Sequence, residues 1–158
     1  MYPDFRELLS VLNAHNAKYL VVGAYAVSAY AQPRATKDLD IWIKPDAENA
    51  KAVYAALAQF GAPLGGLTFA DFAEPGPFFH MGDEPLAVDI LTEIPGVDFD
   101  VAWERRVQDV IDAASGLNAS IISRADLITA KLAAGRPQDL ADVDAIRKAE
   151  EAQTKRPG

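Results

Sequence analysis

The chain has no cysteine among its 158 residues, which excludes disulfides, zinc–thiolate sites and a cysteine nucleophile. Histidine is scarce too. His15 and His80 are the only imidazoles, so any metal site must be rich in oxygen ligands. Basic residues are in deficit, with 15 Lys and Arg against 23 Asp and Glu, a formal charge of −8 and a pI near 4.7. That balance argues against a broad electrostatic footprint on DNA or RNA and leaves open only a local basic patch. No apolar run approaches the roughly 18 residues of a membrane span. The start, Met1-Tyr-Pro-Asp-Phe-Arg-Glu7, is charged where a signal peptide would be apolar. A cytoplasmic, non-membrane protein is therefore expected. There is no internal repeat and no low-complexity segment.

Half of the residues are hydrophobic, enough at this length to bury the core of a single domain over 1–158. Phe5, Leu8, Leu9 and Leu12 recur at helical spacing and predict a helix over 3–16. The β-branched run 18–22 predicts a strand that ends at Gly23, followed by a small-residue helix over 24–31 stopped by Pro33. A strand over 38–44 precedes a helix with Asp46 as N-cap and Gly61 as its stop. Residues 61–77 read as an irregular covering loop with a helical turn near 68–72. Strands over 77–81 and 86–91 flank the hairpin-type connection Gly82-Asp-Glu-Pro85. A helix over 98–107, strands over 109–113 and 118–122, a helix capped by Ser123 and ending at Gly135, and a helix over 138–152 complete the order. The class is α/β: a small mixed β-sheet (core about 17–113) with flanking helices and a C-terminal helical segment (about 123–152).

The run Arg34-Ala-Thr-Lys-Asp-Leu-Asp-Ile-Trp-Ile43 carries charge where a buried strand is expected. Side chains alternate along a strand, so Asp38, Asp40 and Trp42 share one face while Leu39, Ile41 and Ile43 face a core. The two carboxylates then lie roughly 7 Å apart, and each needs a partner unless it stays wet. A third aspartate, Asp89, sits between Val88 and Ile90 in another strand-like run. If the two strands are neighbours, Asp38, Asp40 and Asp89 converge into an acidic cup that suits Mg²⁺, with Mn²⁺ as a substitute. Such a cup supports in-line phosphoryl transfer, with one carboxylate free to take a proton. Taken singly, each aspartate is better explained as a solvated strand end or an ion pair with Arg34, Lys37 or Lys44; it is the three together that point to a site. Trp42 could stack a base or simply pack, and His80 and His15 read as a half-buried structural residue and a surface residue.

The run Tyr19-Leu-Val-Val-Gly-Ala-Tyr-Ala-Val-Ser-Ala-Tyr30, followed by Arg34-x-Thr36-x-Asp38-Leu-Asp40-Ile, resembles the signature of the DNA polymerase beta-like nucleotidyltransferase superfamily. The run from Asp126 through Lys131-Leu-Ala-Ala-Gly-Arg136 to Asp139 and Asp142 is similar to the helical motif of small bacterial nucleotidyltransferases related to abortive-infection toxins. The resemblance covers about residues 17–147. It implies transfer of a nucleoside monophosphate from an NTP to a hydroxyl or phosphate on a protein, an RNA end or a small molecule, with a possible place in a toxin–antitoxin pair. It also implies roles for residues. Asp38, Asp40 and Asp89 would be the metal-binding and catalytic carboxylates, with Asp89 as base, and Gly23 would meet the triphosphate through its backbone. Lys131 and Arg136 would approach the phosphates, anchored by Asp139. Ala24 stands where the superfamily usually has a second glycine or a serine, so a hydroxyl contact to phosphate is missing there. Two alternatives stay open: Gly23 as a plain tight turn, and Lys131 and Arg136 as partners of Asp139, Asp142 and their own helix end. A non-catalytic nucleotide-binding or antitoxin-like partner subunit with the same fold is the other functional reading.

Overall fold

A computed structural model describes residues 1–32, 38–83 and 86–154. The expected roles of Pro33, Arg34, Thr36, Lys37 and the Glu84-Pro85 connection lie outside the described residues. Proline at the start of the first helix removes an N–H that would have no partner there. The helix, α1 (Pro3–Ala14), buries Phe5, Leu8, Leu9, Val11 and Leu12 along one stripe. Strand β1 (Tyr19–Val22) is buried at all four positions and runs straight into α2 (Gly23–Tyr30). Strand β2 (Leu39–Ile43) follows. Helix α3 (Ala47–Phe60) starts where Asn49 donates its N–H to the Asp46 carboxylate at 2.7 Å and stops at Gly61, whose φ of 94° suits glycine. The loop beyond contains a 3-10 turn at Phe69–Phe72 capped by Thr68. Strands β3 (Phe78–Met81) and β4 (Val88–Leu91), helix α4 (Phe99–Glu104), strands β5 (Val107–Asp112) and β6 (Leu117–Ile121), and helices α5 (Arg124–Ala134) and α6 (Pro137–Thr154) complete the order.

The strands form one mixed sheet in the order β3-β4-β2-β1-β6-β5. Strand β2 pairs antiparallel with β1 and parallel with β4, so it stands near the middle. Leu39, Ile41 and Ile43 share a face with Val88 and Ile90 and all are buried. Phe79 of β3 joins that face and packs on Phe72 at 4.4 Å between ring centroids, with Tyr54 of α3 behind it. The loop thus covers the sheet. The aspartate face is covered too: Trp42 is 2% exposed and packs edge-on against Phe99 of α4 at 4.9 Å. Its ring is a core element and presents no face to a base. Strand β5 begins at Val107, two residues before the expected start, because Val107 and Gln108 pair with Ile121 and Ser120. Cross-strand pairing there overrides the local helical period.

At the end of the sheet away from Asp40, Asn49 ties three elements together. Its side-chain oxygen accepts from the Lys18 N–H at 2.7 Å, and its amide donates to the carbonyls of Lys18 and Lys44 at 3.0 and 2.9 Å. The residue is buried, so truncation strands main-chain groups away from water. Asn49→Ala is expected to cost about 2 kcal/mol, read as a lower urea midpoint at unchanged slope.

Candidate functional site

The register of β2 against β4 sets Asp40 directly beside Asp89. The two carboxyls come within hydrogen-bonding range of each other. Burial pushes the Asp40 carboxyl up to about 7, the adjacent Asp89 adds to this, and Asp38 contributes in smaller measure, while Lys131 opposes it. Asp38 lies just before β2, and its Oδ1 is buried with no hydrogen-bond partner. Lys44 does not neutralise this group: it pairs with Asp100 at 2.9 Å and Asp46 at 3.6 Å. Among the described residues, no ion pair reaches Asp38 or Asp40. Like charges held together out of water call for a proton, as the raised Asp40 value shows, or for a cation in its place.

Gly23 faces the same carboxylate. A Cβ built there would stand 2.1 Å from Asp40 Oδ2, and the backbone has φ of +67°. Only glycine satisfies both conditions. Gly23 thus lets the backbone pack closely against Asp40. Gly23 and Asp40 border a cavity of about 140 Å³ whose other wall includes Lys131, Arg136 and Asp139. That volume admits a phosphate group, whereas a whole nucleotide would extend outside it. Roomier grooves of about 620 and 640 Å³ lie between α1 and the β5–β6 hairpin and between α2 and α6. They are open surface away from the carboxylates, so size alone does not locate the chemistry. Ala24 follows Gly23 as the second residue of α2.

The cationic wall comes from the break between α5 and α6, where Gly135 (φ 66°) ends one helix and Pro137 opens the next. Lys131 Nζ meets Asp139 at 3.1 Å and Asp142 at 3.0 Å, and Arg136 Nε meets Asp139 at 2.6 Å. The pairing of both cations with Asp139 and Asp142 is thus present. It does not remove them from the cavity. Asp139 is buried while the Arg136 side chain is 77% exposed, so the carboxylate anchors a guanidinium that still faces solvent. Hydrogen bonds from Arg136, and then from Lys131, hold the Asp139 carboxyl down at about 2 against the effect of burial.

The reading of His80 as half-buried needs correction. Strand β3 is the sheet edge, which exposes the imidazole, and the hairpin register sets His80 opposite Asp89. Its Nδ1 stands 2.6 Å from Asp89 Oδ1, and this hydrogen bond is the main cause of an upward shift in the imidazole pKa. Alternation along residues 78–81, counted across the Gly82–Pro85 connection, is the signal that could have found it. His15 hydrogen-bonds Gln59 at 2.7 Å, away from the carboxylates.

For a hard cation the feature that matters is the donor set. The donors are all oxygen, one of them is an unpartnered buried atom, and Asp40 and Asp89 already adjoin. Among the described residues no group of three or more acidic or histidine side chains stands ready to enclose an ion. An open carboxylate set of this kind fits Mg²⁺, which keeps water and substrate phosphates as ligands.

A family model described as nucleotidyltransferase of unknown function (DUF6036) matches residues 4–151. The chain belongs to that family. Its nucleotidyltransferase fold is seen again in two solved structures. One is the antibiotic-resistance factor ANT(2'')-Ia in solution, at 12% identity and TM-score 0.56, with 95% of this chain and 82% of that one covered. The other is the nucleotidyltransferase candidate TM1012 of Thermotoga maritima, at 15% identity and TM-score 0.54, with 96% and 91% covered. At such identities the likeness is one of fold. No curated protein matches the chain in sequence. The relation to abortive-infection transferases has no counterpart among these matches.

The two shifted carboxyls have opposite signs in stability. Asp40 binds its proton more tightly folded than unfolded, so the folded state loses stability as pH rises from about 4 to about 7. Asp40→Asn should remove that loss, stabilising the ligand-free nucleotidyltransferase by on the order of 2 kcal/mol at pH 8. Little gain is expected at pH 4; thermal unfolding at both values checks this. For Asp139 the contribution is present above pH 4 and lost as pH falls toward 2. Asp139→Asn should cost about 2 kcal/mol at pH 7 and flatten the acid limb of the stability curve.

Proposed function

We propose that this nucleotidyltransferase moves a nucleoside monophosphate from an NTP to a hydroxyl or phosphate acceptor in a Mg²⁺-dependent reaction. The observation that carries this reading is the in-register pairing of Asp40 with Asp89, with the Gly23 backbone against one carboxylate. Family membership and fold support the reaction class. Asp38, Asp40 and Asp89 are the residues that would hold Mg²⁺, or Mn²⁺ in its place. When bound, the cation would offset charge on the phosphates and on the departing pyrophosphate.

The remaining chemistry belongs to the chain. Phosphates enter on the β1 side, where Lys131 and Arg136 supply N–H donors held in place by Asp139, and where Gly23 leaves the backbone accessible. An acceptor oxygen attacks the α-phosphorus, the bond to the β-phosphate oxygen breaks, and pyrophosphate leaves. Asp89 lies on the other side of Asp40, next to edge strand β3, and takes the acceptor proton. Ala24 in place of a serine favours a second reading, a nucleotide-binding or antitoxin-like partner of another protein. The motif from Asp126 to Asp142 bears on a place in a toxin–antitoxin pair, and the acceptor is a protein, an RNA end or a small molecule.

Calorimetric titration with each NTP and Mg²⁺, run on the intact protein beside Asp38→Ala/Asp40→Ala, separates these readings. Binding that needs both metal and aspartates is expected. Turnover of α-labelled NTP should fall roughly 10⁴-fold in the variant. If the intact protein binds no NTP, the transferase reading is lost; binding without turnover favours the partner subunit.

A further inference from the structure

We propose that His80 is a positioning residue that fixes the orientation of the Asp89 carboxylate. The proposal deepens the nucleotidyl-transfer reading and rests on it. The geometry is specific. Asp89 and His80 are directly opposed in an antiparallel pair whose neighbours, Phe79 with Ile90 and Met81 with Val88, keep the register. Phe79 packs on the buried Phe72, so the backbone carrying His80 is held by the core although β3 is an edge strand. Imidazole Nδ1 then meets Asp89 Oδ1 at 2.6 Å, within the range of a charge-assisted hydrogen bond.

A carboxylate rotates broadly about its last torsion; besides Asp40, whose carboxyl lies within hydrogen-bonding range, His80 is the side-chain partner that the described residues offer Asp89. Donation from Nδ1 to one oxygen leaves the other to a cation or to an acceptor proton. The exposure of the pair decides between structural and functional explanations. The His80 side chain is 53% exposed and that of Asp89 23%, and so exposed an ion pair adds little to stability. Partners that orient a metal-binding carboxylate, by contrast, change metal affinity or activity by 10–100-fold. His80 therefore acts through Asp89 and not on the substrate.

The test uses the full chain with Mn²⁺ alone as probe, followed by ATP turnover with Mn²⁺. In His80→Ala, Mn²⁺ affinity should weaken roughly tenfold or more, with kcat reduced and KM for ATP little changed, because the phosphates are held on the opposite side. His80→Asn places an amide N–H where Nδ1 stands and should restore most of both. Thermal unfolding confirms that each variant is folded. Wild-type affinity and turnover in His80→Ala overturn the proposal alone, as does a folded His80→Asn that is no better than His80→Ala. Absence of Mn²⁺ binding and ATP turnover in the wild type overturns the transfer reading, and the proposal with it.

Discussion

Two carboxylates held side by side in a poorly hydrated place are the constraint around which this protein is arranged. Burial, and then the neighbouring Asp89, make Asp40 hold its proton up to about pH 7. The two are kept together by residues on the opposite face of the same strands: Leu39, Ile41, Val88 and Ile90 are buried, and a slip of one residue between β2 and β4 would turn all of them outward. Apolar burial thus sets the register, and the register sets the two carboxyls side by side. Gly23 completes the arrangement, since a side chain there would collide with Asp40.

The cationic side shows the opposite strategy. Lys131 and Arg136 converge on buried Asp139, with Asp142 completing the group. Their positive charge is partly matched within the protein, so the cluster is stable before any anion arrives. Around one cavity, then, a carboxylate shifted by burial and like charge faces a charged cluster whose members match one another.

The sequence made much of this legible. Local capping predicts the starts at Asp46 and Ser123 because the side chain that caps a helix lies within a few residues of the N–H it accepts. The stop at Gly61 and the turn at Phe69–Phe72 are equally local. The start of β5 was less accessible, since Val107 and Gln108 are strand only through their pairing with β6. His80 was misread for a related reason: its partner is defined by a cross-strand register, and only an edge position accounts for its exposure. Trp42 alternates with the aspartates on one face, yet its burial depends on Phe99, far along the chain.

By itself, the sequence determined the chemical inventory and the local elements. Without cysteine and with two histidines, only oxygen-rich chemistry was available, and periods of 2 and 3.6 residues placed the aspartates on strands. What only the tertiary structure decided is which charges meet. Parallel pairing of β2 with β4 brings together Asp40 and Asp89, and the edge position of β3 adds His80. The α5–α6 break sets Lys131 and Arg136 around one cavity with Asp40. Such meetings depend on how distant segments bury their apolar faces against one another, and that is a property of the packed sheet as a whole.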